Sequence, residues 1–162
     1  MPKVAIVMGS KSDLEVARPA VNVLRSFGVE TEVRVISAHR TPEEAHVFAT
    51  TAKEKGIEVI IAVAGKAAHL GGVLASLTTL PVIGLPVKTS MMGGMDSLLS
   101  IVQMPSGIPV ATVGVDAGEN AGVLAAQMLG LKYQDIADKL ATYKEQMAKK
   151  IAADDQKLQS EI

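Results

Sequence analysis

Four stretches of this chain are apolar on both faces: Val4–Met8, Val59–Val63, Val82–Leu85 and Val110–Val113. A strand with one face in water alternates apolar and polar residues. Unbroken apolar runs therefore mark strands covered on both sides, and such strands are usually parallel. A further strand is read at Glu30–Val35, between two helical patterns. Parallel neighbours need long crossover connections, and helical spacing fills the gaps. Leu14, Ala17, Val21 and Leu24 line one face of a helix over Asp13–Phe27, which Gly28 ends. Pro42–Lys55 ends the same way at Gly56. Shorter helices are expected at Leu70–Leu77, Met95–Gln103 and Asn120–Leu129.

This alternation predicts an α/β fold with a doubly wound parallel sheet. Five strands in the order 2-1-3-4-5 suit the length. With 162 residues the chain is read as a single domain, an α/β core over residues 1–131 followed by a C-terminal helix over 132–162. Ile136, Leu140, Tyr143, Met147 and Ile151 form a stripe along that helix, so it is expected to cap the sheet or to lie on a neighbouring subunit.

Charge and composition narrow the function. A net charge of −1 gives no electrostatic reason to bind nucleic acid or an anionic membrane. The only aromatics are Phe27, Phe48, Tyr133 and Tyr143, too few for a base-stacking surface. The absence of cysteine excludes disulfides, thiolate nucleophiles and cysteine-ligated metals. The N-terminus shows no targeting pattern and no apolar run is long enough to span a bilayer, so a cytoplasmic location is expected. The high aliphatic content predicts a homo-oligomer.

In the order 2-1-3-4-5, the loops after strands 1, 2 and 3 open onto one crevice at the carboxyl edge of the sheet, where open α/β sheets bind ligands. Each of these loops carries chemistry. The first is Gly9-Ser10-Lys11-Ser12-Asp13. Its glycine admits a ligand to the backbone, its hydroxyls can donate, and the following helix N-terminus favours an anion. Ser12 or Asp13 could equally serve as a plain helix cap. The pattern is neither a phosphate loop of the Walker type nor a dinucleotide fingerprint.

The second loop is Ser37-Ala38-His39-Arg40-Thr41-Pro42. His39 can give and take a proton near neutral pH, and Arg40 offers a permanent forked charge to phosphate or carboxylate. Thr41, Pro42 and Glu44 read as a capping box opening the next helix. The third loop, Ala64–Gly72, is built of small residues and places His69 as a site-lining residue. His46 falls mid-helix and is read as surface. The three histidines have no metal-ligand spacing, so no metal is expected. Lys88–Ser97, rich in glycine and methionine, suits a lid or an oligomer contact, and equally a plain loop capped by Asp96 or Ser97.

Five segments in order resemble the N5-carboxyaminoimidazole ribonucleotide mutase family of purine biosynthesis: GSKSD at Gly9–Asp13, SAHRTP at Ser37–Pro42, AAHL at Ala67–Leu70, DSLLSIVQMP at Asp96–Pro105 and IPVAT at Ile108–Thr112. Asn120 and LAAQML at Leu124–Leu129 continue the match. The resemblance implies a flavodoxin-like three-layer αβα sandwich, a homo-octamer, a small-molecule ribonucleotide substrate and no cofactor. It implies substrate contacts at Ser10, Asp13 and Arg40, with Ser12 and Ser37 nearby and Lys11 in the same loop. The family's acid-base histidine falls on His39. Where those mutases usually have AGAGGAAHLPG, this chain has AVAGKAAHLGG, so Val63 and Lys66 replace glycines and Gly71 replaces a proline. The AVAG-plus-base pattern is similar to the related carboxylases that use carbon dioxide directly, which is the alternative activity. A flavodoxin-like module binding flavin mononucleotide, without chemistry, is the alternative of another class.

Overall fold

Five parallel strands form one sheet in the order β2-β1-β3-β4-β5. The computed structural model describes the whole chain, Met1 to Ile162. The strands are β1 (Lys3–Met8), β2 (Glu30–Val35), β3 (Val59–Ala64), β4 (Val82–Pro86) and β5 (Ala111–Thr112). The helices are α1 (Leu14–Ser26), α2 (Pro42–Thr51), α3 (Leu70–Leu77), α4 (Met95–Val102), α5 (Gly118–Gly130) and α6 (Gln134–Glu161). Short 3-10 turns at Lys11–Asp13 and Met92–Gly94 precede α1 and α4.

Alternate residues of the central strands enter different cores, because successive side chains point to opposite faces. Val4, Ile6 and Met8 join α1 and α5 on one face. Ala5 and Val7 join α2, α3 and Ile101 on the other. Helices on both faces explain why β1, β3 and β4 read as continuous apolar runs. Edge strand β2 is different. Lys3 of β1 pairs with Glu30 at 3.5 Å and Glu32 at 2.9 Å, and Arg34 reaches Glu44 of α2 at 2.7 Å. Such charge discourages pairing at an open sheet edge.

Several boundaries differ from the sequence reading. The fifth strand shrinks from Val110–Val113 to Ala111–Thr112, since only Ile83 and Gly84 of β4 pair with it. Helix α2 stops at Thr51 rather than Lys55, and a turn carries the chain to Gly56. The capping box does not form. Thr41 Oγ1 donates to Ser37 O at 2.9 Å and accepts from Ser37 N at 3.0 Å, so the hydroxyl closes its own loop. Glu44 is drawn to Arg34 instead. Gly28 ends α1 as expected, with φ +79°.

Helix α5 lies against α1 at very close range. A methyl group at Gly118 would meet Val16 O at 2.1 Å. The start of α6 is anchored through buried Ile136 and through Tyr143, whose ring meets Phe27 edge-on at 5.6 Å between centroids. Met147 and Ile151, at the far end of the stripe, remain exposed. No helix is long and apolar enough to cross a membrane.

Candidate active site

The carboxyl ends of β1 to β4 surround a cleft of roughly 640 Å³. Ser10, Ser12, Asp13, Ser37, His39, Arg40 and His69 all line it. Lys11 is exposed in the 3-10 turn and is not among the residues that line the cleft. His46 lies exposed on α2, away from the cleft.

The loop after β1 is shaped by its own hydroxyls. Ser10 Oγ accepts from Ser12 N at 3.3 Å and lies 2.9 Å from Ser12 Oγ. Asp13 occupies the cap position of α1, but its carboxylate makes no capping bond. Burial pushes that carboxyl above its ordinary range, opposed by the Ser10 backbone. The caps read at Ser12 and Asp13 are thus supplied one step earlier, by Ser10. Asp13 is left as a half-buried acceptor at the cleft wall.

Arg40 ties the first two loops together. Its Nη2 donates to Gly9 O at 3.0 Å and its Nε to Ser37 Oγ at 3.3 Å. These bonds fix the plane of the guanidinium beside the helix N-terminus. A guanidinium has five N–H donors, so others stay free for an anion.

His39 Nε2 lies 2.8 Å from His69 Nδ1, with the rings nearly perpendicular at 84°. One nitrogen must donate and the other accept, so the two imidazoles share one proton along this line. His39 Nδ1 and His69 Nε2 have no protein partner. The spacing of thirty residues between the two histidines concealed this contact, because only the pairing of β1 with both β2 and β3 brings their loops together.

Sequence reading overlooked the fourth side of the cleft. Lys88, Thr89 and Ser90, assigned to a lid or subunit contact, line the same space. The signal was available: β4 neighbours β3, so its loop must open on the same edge. Thr89 Oγ1 lies 2.7 Å from Asp96 Oδ1, joining this loop to α4. Lys66, on the loop after β3, lines the cleft with φ +55°, a left-handed conformation that costs a non-glycine residue about 1–2 kcal/mol. Its amide donates to Ser97 Oγ at 3.1 Å, and Ser97 is fully buried.

The family model described as AIR carboxylase matches residues 3–150. The chain is 61% identical to an N5-carboxyaminoimidazole ribonucleotide mutase of Pyrococcus abyssi, over 91% of this chain and 84% of that protein. It is 55% identical to the mutase of Thermotoga maritima, over 98% of this chain and 93% of that protein. The crystal structure of Treponema denticola PurE superposes with a TM-score of 0.87 at 34% identity, covering 98% of this chain and 99% of that one. These matches span both histidine loops, the Gly9–Asp13 loop and the whole sheet: the chain belongs to the AIR carboxylase family.

Proposed function

We propose that this protein is an N5-carboxyaminoimidazole ribonucleotide mutase, moving a carboxyl group from the exocyclic nitrogen to the C4 ring carbon of an aminoimidazole ribonucleotide. The observation that carries this reading is the His39–His69 contact beside the Arg40–Gly9 tie. A proton-transfer pair and an anion clamp share one cleft, as an isomerisation of a phosphorylated nucleotide needs. The 61% and 55% identities are to mutases, which favours the mutase over direct carboxylation.

The phosphate docks at the N-terminus of α1, on Ser10, Ser12 and Arg40. Asp13 accepts from ribose hydroxyls, which compensates its partly desolvated carboxylate. Small residues at Ala64, Gly65 and Ala67 let the imidazole lie against the backbone. His39 then donates a proton to the exocyclic nitrogen as the nitrogen–carboxyl bond breaks, and carbon dioxide is released into the cleft. The ring carbon C4 attacks it, a carbon–carbon bond forms, and His39 recovers the proton that C4 loses. No net proton is consumed. Proton transfer by a positioned group contributes roughly 10²–10⁴ in rate. Holding carbon dioxide beside C4 supplies a further part by proximity. His69, through its hydrogen bond, sets the ring orientation and tautomer of His39.

Residues 1–162 act as one domain in this reading, since both core clusters share a single sheet. The protein works in the cytoplasm, where a soluble nucleotide intermediate is made and used. It assembles as a homo-octamer. Met95, Leu99 and Val102 form an exposed apolar stripe on α4, and Val33 and Val35 are exposed on one face of edge strand β2, surfaces that a partner copy would cover. Light scattering giving the mass of one chain would refute assembly.

The deciding experiment offers the purified protein either the N5-carboxylated nucleotide or aminoimidazole ribonucleotide with bicarbonate, at low total carbonate. Product from the first alone is expected. Product from the second alone would make the protein a direct carboxylase. Product from neither, with flavin absorbance in the purified protein, would make it a flavin-binding module.

A further inference from the structure

Lys66 is held in a conformation that lysine disfavours, with its ammonium left without a partner. Its φ is +55°. The backbone is held from α4: Lys66 N donates to buried Ser97 Oγ at 3.1 Å. The side chain forms no ion pair and no hydrogen bond. The acid on the adjoining wall, Asp96, is taken by the Thr89 hydroxyl at 2.7 Å. A glycine would satisfy the backbone here without strain, so the lysine side chain is kept for something outside the fold.

Its location says what. The cleft has two ends, set by strand order. At the β1–β2 end lie Ser10, Ser12 and Arg40, with Arg40 fixed to Gly9 O and Ser37 Oγ. Lys66 lies at the β3–β4 end, where it also lines an adjoining chamber of roughly 470 Å³ with Thr89, Asp96 and Ser100. His39 comes from the loop after β2 and His69 from the loop after β3, the loop that also carries Lys66, so their contact reaches across from one end of the cleft to the other. A nucleotide whose phosphate occupies the Arg40 end carries its base past the histidines toward Lys66. The anionic group that such a base presents is the carboxylate.

We propose that the Lys66 ammonium binds the migrating carboxylate and so discriminates the carboxylated nucleotide from the bare one. This rests on the mutase reading. It has a kinetic consequence. Carbon dioxide is neutral, so the ammonium stabilises substrate and product more than the intermediate between them. Its loss should therefore weaken binding without slowing chemistry.

The test uses Lys66→Gly and Lys66→Asn, both compatible with a positive φ, and Lys66→Arg, which keeps the charge. With the N5-carboxylated nucleotide, KM is expected to rise about tenfold in the Gly and Asn variants with kcat undiminished, and to stay near wild type in Lys66→Arg. Calorimetric affinity for aminoimidazole ribonucleotide, which lacks the carboxylate, is expected to be the same in all four proteins. An unchanged KM in both neutral variants overturns the proposal. So does an equal loss for the bare nucleotide, which would assign Lys66 to the phosphate, and so does a loss in Lys66→Arg as large as in Lys66→Gly. Wild-type protein that binds aminoimidazole ribonucleotide but never converts the N5-carboxylated one would instead overturn the mutase reading, and this proposal with it.

Discussion

His39 Nε2 and His69 Nδ1 are joined by a single hydrogen bond of 2.8 Å, although the two residues belong to loops on different strands. That bond divides their expected roles. His39→Asn should lower kcat by about 10²–10⁴, since the proton carrier itself is lost, and leave nucleotide affinity nearly intact. His69→Ala should lower kcat by a smaller factor, because His39 remains but its ring is no longer held. Steady-state kinetics with equilibrium binding measures both. Near-normal turnover in His39→Asn would remove it from the mechanism.

Arg40→Ala should act mainly on binding. Its contact with phosphate is made equally in ground and transition states, so KM should rise about 10- to 100-fold with kcat little changed. Arg40→Lys should rescue only poorly, because one ammonium cannot hold Gly9 O, Ser37 Oγ and a phosphate at fixed angles. A mutant affected only in kcat would rule out the clamp.

Two glycines separate folding from ligand access. At Gly118 a methyl group meets Val16 O at 2.1 Å, so Gly118→Ala forces α5 away from α1. A loss of about 1–3 kcal/mol is expected, seen as a lower Tm. At Gly9 an added methyl meets nothing within 4 Å. Gly9→Ala should therefore keep the wild-type Tm and raise KM, because the methyl stands where phosphate approaches the backbone. A lowered Tm with normal KM would reverse that assignment.

Asp13 makes a pH-dependent prediction. Burial raises its folded pKa, so the fold favours the protonated acid. Below the unfolded pKa both states are protonated and no penalty exists. As pH rises through the folded pKa, ionisation inside the cleft wall costs stability, and the cost persists at neutral pH. Asp13→Asn should therefore raise Tm at pH 7, and the gain should vanish near pH 3. The same variant should lose affinity for the nucleotide, since the ribose loses its acceptor. Thermal melts across pH check the sign; a gain confined to acid would contradict it.

Strand type, strand order and the crevice were legible in the chain because they follow from local apolar pattern and from the rules of parallel crossovers. Gly28 behaved as its chemistry required. Thr41 and Glu44 did not, because each found another partner: the Ser37 backbone within the same loop and the Arg34 guanidinium of β2. Lys11 was placed at the ligand by its neighbours in the motif, and it lies exposed in the 3-10 turn, outside the cleft lining.

The order of residues alone determined that the sheet is parallel, that its carboxyl edge carries hydroxyls, an arginine and an imidazole, and that the family is this one. It did so because periodicity and loop chemistry act over a few residues. The tertiary structure alone decided that His69 meets His39, that Arg40 reaches Gly9 O, and that Lys66 sits strained and unpaired at the far end of the cleft. Those contacts join residues that are distant in the chain, and their geometry is fixed only when neighbouring strands pair and helices pack on both faces.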